Sequence, residues 1–309
     1  MVAAGAVVLV TGLTGLRVPR TEIELDVQLS QLTFVLPTAS AISDPLQVSA
    51  LGVSSLGAIE VPRSRQREGE RYPGPGVQLT PATAAGGRGS VNLDALALPA
   101  GAKVSLRTSS IAHEYELFID SSDAVLAASV DGRVRVVLGR LDDTLMFDVP
   151  RPVRLTPKAR FVKLDFALVD TATQALSYQL GVRQLQFSRL DEFTQADRPI
   201  SRSISTIRSG TLYLESIDGA ARALREGEGL QFTSSAGQIR ELELGGDGIR
   251  LRFVGVVHGM TVGAGDVKRS LMPTWFDWFS ARHRVPFLWG ATAYFFGLIT
   301  TVLRWWRQE

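Results

Sequence analysis

The sequence predicts an all-β protein, an antiparallel β-sandwich or a pair of related sandwich modules, followed by a C-terminal transmembrane helix and preceded by an apolar membrane segment. Three observations carry this. Segments such as Thr21–Leu29 alternate apolar and polar residues with a period of two, which places one set of side chains in a core and the other in water. After residue 208, glycine-bearing groups separate further short apolar runs, as in a meander. Val285 to Leu303 holds no charged residue. As a helix it reaches roughly 28 Å, about the thickness of a bilayer's hydrocarbon layer.

Composition sets the outer bounds. With 309 residues, 45% hydrophobic and 21% charged, the chain can bury a sizeable core, which excludes a long disordered protein. A net charge of +2 gives no electrostatic footprint for nucleic acid, so nucleic acid is not an expected partner. Without cysteine there is no disulfide, thiolate zinc site, iron–sulfur cluster or cysteine nucleophile. Arginine far outnumbers lysine, which fits a bacterial genome rich in G and C.

Along the chain, residues 1–16 are uncharged and read as an N-terminal apolar membrane segment. Residues 17–190 read as the first β module, 191–256 as a meander that completes or adjoins it, 257–284 as a linker with an interfacial helix, and 285–309 as the membrane helix with a basic tail. Ile23, Leu25, Val27 and Leu29 share one face; the apolar phase then slips to Leu32, Phe34 and Leu36, as a bulge near Ser30 or Gln31 requires. Residues 62–76 and 80–90, rich in arginine, proline and glycine, read as loops. Strands are expected at 103–107, 115–119 and 161–168, with Asp131-Gly132 as a hairpin turn. Residues 180–187 repeat the pattern of 27–34, a hint of two related modules. The polar stretch 189–208 reads as a seam. Later strands are expected at 211–214, 230–232, 239–244 and 249–254, with turns at GEG, SSAG and GGDG and a helical turn at Arg222–Arg225.

Chemistry-bearing patterns are scarce. His113, His258 and His283 have no metal-ligand spacing. The pairs Asp120 with Asp123 and Asp142 with Asp143 sit beside turn signals, where aspartate bonds its own backbone. No glycine group opens a helix as a phosphate loop does, and G-x-S-x-G is absent. Neither a cofactor nor a catalytic residue is expected.

The C-terminal segment carries the site expectations. Thr274 or Pro273 starts a short surface helix bearing Trp275, Trp278 and Arg282. Arg284, Trp289, Arg304, Trp305, Trp306 and Arg307 flank the apolar run as interfacial anchors, with indole rings and guanidinium groups at headgroup depth. Gly290, Ala293, Gly297 and Thr301 form a small-residue face on which another helix can pack. The expected function is a non-catalytic membrane-anchored binding or scaffolding subunit of a membrane complex, with the lipid bilayer and other subunits or a second copy as partners. The alternatives are a self-associating effector that perturbs membranes and a carbohydrate-binding or hydrolytic envelope protein. The expected location is a bacterial inner membrane. More basic residues flank the domain side than the terminal side, which leans the β domain toward the cytoplasm.

Overall fold

A computed structural model of the chain describes residues 15–306, apart from 43–44, 62–63, 65–69, 74–75, 85–86, 122, 158–160, 170–172, 196–197, 265–266 and 283. The protein is predominantly β. Nineteen strands belong to one continuous hydrogen-bonded sheet, and every pairing described is antiparallel. The large sheet folds around a connected cluster of buried apolar side chains that runs from Val18 to Met272.

The first strand shows why. Thr21–Leu29 buries Ile23, Leu25, Val27 and Leu29 and lies between Ile207–Leu214 and Gly248–Ala264. At Ser30 the ladder breaks: its N–H donates to the Thr206 carbonyl at 2.9 Å, and its carbonyl accepts from the Thr108 N–H at 2.9 Å. Gln31–Val35 then pairs with new neighbours, Lys103–Thr108 and Gln174–Gln186. Leu32, Phe34 and Leu36 remain buried, so the phase slip keeps one face inward while the strand changes partners. Elsewhere Leu46–Ser54 and Val125–Leu138 each pair with both Ser90–Leu98 and Gly76–Pro81, which closes a four-stranded ring within the sheet.

Several local expectations are corrected. Asp131-Gly132 is no hairpin, because Val125–Leu138 runs straight through it. Gly132 has φ +65°, the register against Leu141–Pro157 shifts there, and the Asp131 carboxylate accepts the Gly132 N–H at 2.9 Å. The positive φ serves a bulge instead. The reversal comes at Gly139-Arg140, where Gly139 has φ +58°. Gly246-Asp247 does form the expected turn, between paired Gly245 and Gly248. The SSAG group lies inside the strand Gly229–Gly245, where buried Ser235 accepts the Leu185 N–H at 2.8 Å. Ala220–Leu224 is a strand on Ile207–Leu214 and no helical turn; edge pairing overrides the helix preference of alanine and arginine.

The expected loops and the linker are also shorter than the sequence suggests. Glu70–Pro73 pairs with Leu56–Val61, and within 80–90 the pieces Thr83–Ala84 and Gly87–Arg88 form a small hairpin. The polar stretch after 187 forms a separate hairpin of Ser188–Gln195 with Arg198–Ser205. Gly248–Ala264 and Val267–Ser270 extend the sheet through most of the expected linker.

Two helices follow, α1 (Trp275–Arg282) and α2 (Arg284–Trp306). Among the described residues no helix is long and apolar enough to cross a membrane, so the transmembrane helix expected over 285–303 has no support here. The side chains of residues 285–289 and 291, within that run, lie outside the described residues. Of the expected N-terminal membrane segment, residues 1–14 lie outside the described residues.

Candidate functional site

The end of the β body that launches the helices is held by a short strap. The Val18 N–H donates to the Pro273 carbonyl and the Trp275 N–H to the Leu16 carbonyl, both at 3.0 Å, around an antiparallel bridge between Arg17 and Thr274. The Arg17 guanidinium also donates to the Met272 carbonyl. Helix α1 starts where the sequence placed it, after Thr274. Its hydroxyl accepts the Asp277 N–H at 3.1 Å, and the Asp277 carboxylate accepts the Thr274 N–H at 3.0 Å and hydroxyl at 2.7 Å. This reciprocal cap satisfies donors that a helix start otherwise leaves unpaired. Thr274→Ala is expected to destabilise the docked helix by about 1 kcal/mol. Urea unfolding followed by tryptophan fluorescence checks this, and an unchanged midpoint counts against the cap.

Trp275 and Trp278 are half-buried against the core, edge to face with ring centroids 5.4 Å apart. The Arg282 guanidinium lies over the Trp278 ring at 5.1 Å, within range of the ring's negative face. Helix α1, the chain from Val18 to Glu22 and the 3-10 turn Glu215–Ile217 enclose a cavity of about 560 Å³, lined among others by Arg20, Glu22, Glu215, Trp275, Trp278 and Arg282. The sequence singled out the two tryptophans and Arg282 as interfacial anchors, not as walls of a cavity. It gave no sign of Arg20, Glu22 or Glu215, which the fold brings from distant positions.

Beyond α1 the environment changes. Every residue of α2 whose side chain is described is exposed, including Phe295 at 64%, Phe296 at 70% and Trp306 at 75%. Gly290, Ala293, Gly297 and Thr301 are exposed as well, and a Cβ built on either glycine meets nothing within 4 Å. The Thr300 and Thr301 hydroxyls donate to the Gly297 carbonyl at 2.9 and 2.7 Å, which satisfies them within the helix. Arg304, Trp305 and Trp306 are exposed; the side chains of Arg284 and Trp289, and all of Arg307, lie outside the described residues.

A second concavity, about 610 Å³, lies over Leu46–Ser54, Glu114–Asp120 and Phe161–Leu168 and is lined by Glu114, Glu116, Lys163 and Asp165. Register makes it: Glu116 lies opposite Asp165, and Phe118 opposite Lys163. The Lys163 ammonium sits 2.9 Å from Glu116 and 2.7 Å from Asp165, and the Arg107 guanidinium also donates to Glu116. The Arg107 bond, assisted by Lys163 and opposed by partial burial, holds the Glu116 carboxyl below its usual range. Asp165 and then Glu116 push the Lys163 ammonium up. A lowered folded-state value means that Glu116 contributes stability above the ordinary carboxyl range, lost as pH falls through that value. In acid the unfolding midpoint is expected to fall more steeply for the natural protein than for Glu116→Gln; parallel slopes would refute this linkage.

Other candidates resolve into structure. Asp142 makes a two-bond pair with Arg135 at 2.8 and 2.6 Å, and Asp143 accepts the Thr144 N–H at 2.8 Å. The Asp123 N–H donates to Ser121 at 3.3 Å. His113 adopts φ +64° and its backbone carbonyl accepts the Leu168 N–H, while His258 shares a hydrogen bond with Ser234 at 3.2 Å; His283 lies outside the described residues. Among the described residues no three histidine, aspartate or glutamate side chains are placed to hold a metal. Tyr115 is buried, and its hydroxyl donates to the Gly245 carbonyl at 2.6 Å. Burial outweighs that bond and the Arg208 charge and pushes the phenol up to about 12, so it stays protonated at neutral pH.

No family model matches the chain, and no curated protein matches it. Among solved structures, the crystal structure of CghA aligns with 80% of this chain and 89% of its own at 7% identity and a TM-score of 0.11, a likeness that carries no argument about fold or function.

Proposed function

We propose that this is a non-catalytic, membrane-anchored β-domain protein that serves as a binding or scaffolding subunit of a membrane complex. The observation that carries the reading is α2: a run of apolar side chains, exposed wherever described, extends from a body whose own core is complete without it. Contiguous apolar surface of this kind marks a lipid or protein contact. In this reading α2 enters lipid, α1 lies at the headgroups, and the β surface is left to meet partners. The basic flanks favour a bacterial inner membrane with the β body on the cytoplasmic side. Crossing by residues 285–303 belongs to the proposal, and protease protection in sealed vesicles distinguishes a crossing helix from one confined to a leaflet.

The test is flotation of the full chain with phospholipid vesicles. The protein is expected at the top of the gradient with its vesicles still sealed. Protein that stays at the bottom overturns the anchor, and vesicles that leak on binding favour the membrane-perturbing effector. In the ion-paired cleft the Glu116 carboxyl, held below its usual range by Arg107 and Lys163, has no proton to donate as a general acid at neutral pH.

A further inference from the structure

We infer that the cavity beneath α1 binds the headgroup of an aminophospholipid of the phosphoethanolamine class. The inference rests on the proposed membrane attachment and adds to it a specific lipid contact. The cavity carries both signs of charge: Arg20 and Arg282 suit a phosphate, while Glu22, Glu215 and Asp218 suit a primary ammonium. The side chains of Arg20, Glu22 and Glu215 are exposed at the cavity's rim, and no hydrogen bond or ion pair ties them to other described residues, so they can turn toward a ligand.

An anion without an amine leaves three carboxylates, Glu22, Glu215 and Asp218, facing a phosphate, a like-charge arrangement that costs affinity. A zwitterion with a few bonds between its charges answers both sides. The tryptophans fix the orientation. Trp278 holds the Arg282 guanidinium over its ring, and the Trp275–Trp278 pair supplies the apolar wall on which a glycerol ester can rest. The cavity volume falls within the common range for small-ligand sites, about 300–1,000 Å³. Its position matters equally. It opens beside the strap at Val18 and beneath α1, immediately before α2, where the headgroup layer lies if α2 enters lipid.

The experiment uses the full chain in two settings. In detergent, tryptophan fluorescence is titrated with soluble glycerophosphoethanolamine, glycerophosphoglycerol and inorganic phosphate. In flotation, vesicles of phosphatidylglycerol alone are compared with vesicles containing phosphatidylethanolamine. A saturable response to glycerophosphoethanolamine alone, and tighter binding to the phosphatidylethanolamine vesicles, are the expected results. Arg20→Gln and Glu215→Gln should each weaken both by about tenfold, the loss of one charge-assisted contact, while flotation on phosphatidylglycerol persists. Equal flotation on both vesicles with no response to the soluble headgroup overturns the headgroup site and leaves the anchor standing. Failure to float on any vesicle overturns the anchor. An equal response to inorganic phosphate reduces the cavity to a plain anion site and overturns the proposal.

Discussion

A chain truncated after Arg282 is expected to lose vesicle binding and to keep its β body. The two halves of that expectation rest on different observations. No described side chain of α2 belongs to the buried core, and the aromatic groups that close the core at this end, Trp275 and Trp278, belong to α1 and remain in the truncated chain. Deletion should therefore leave the unfolding midpoint nearly unchanged. The exposed face of α2 includes Phe295, Phe296, Leu298, Ile299, Val302 and Leu303. Full burial of one large apolar side chain is worth about 1.5–3 kcal/mol, so six of them dominate any attachment even after ordering costs. Phe295→Lys with Ile299→Lys tests the same idea with the helix still present. Two lysines at membrane depth cost about 5–7 kcal/mol, enough to lower vesicle affinity by more than about a thousandfold. A truncated or doubly charged chain that floats as well as the natural one would place the attachment elsewhere.

Phe253→Ala is expected to destabilise the β body by about 3–5 kcal/mol, a large share of the roughly 5–15 kcal/mol that holds a typical domain together. Its ring is fully buried and lies over Gly237 and Gly255: a Cβ added to either glycine would come within 2.7 or 2.5 Å of the Phe253 Cζ. The two glycines make a shallow seat, and removing the ring leaves a void that neighbouring backbone cannot collapse to fill. Urea unfolding should show a lower midpoint at constant slope. A loss below about 1 kcal/mol would mean the site relaxes freely. The reverse change is not rescued by a smaller ring partner. A Cβ at Gly237 also meets the Val254 carbonyl at 2.3 Å, so Gly237→Ala stays destabilising when combined with Phe253→Leu.

The strands with a clear period of two were legible because burial alone dictates them. Thr21–Leu29 and Phe161–Leu168 bury the faces their alternation selects. The start of α1 was legible only as Thr274 or Pro273; the structure sets it at Thr274, where Asp277 three residues on completes a reciprocal cap. Asp131-Gly132 was misread because aspartate followed by glycine offers a positive φ, which a bulge needs as much as a turn does. Gly139-Arg140 makes the actual reversal with a weaker local signal. Ala220–Leu224 was misread because its preference is helical and its partner lies outside the local window. Both clusters of charge were beyond reach for one further reason: Glu116 meets Lys163, and Arg20 shares a cavity with Glu215, only once register and sheet curvature are set.

The strap at Leu16–Val18 has a mechanical consequence. Because the pairing is antiparallel, the chain upstream of Leu16 and the helices downstream of Trp275 leave it from the same end. Tension between them is borne by one hydrogen bond at a time, Trp275 to Leu16 first and Val18 to Pro273 next, so it peels the strap open before it loads the sheet. If α2 is held in lipid as proposed, a pull on it loosens the seat of α1 while the strands behind it stay shut.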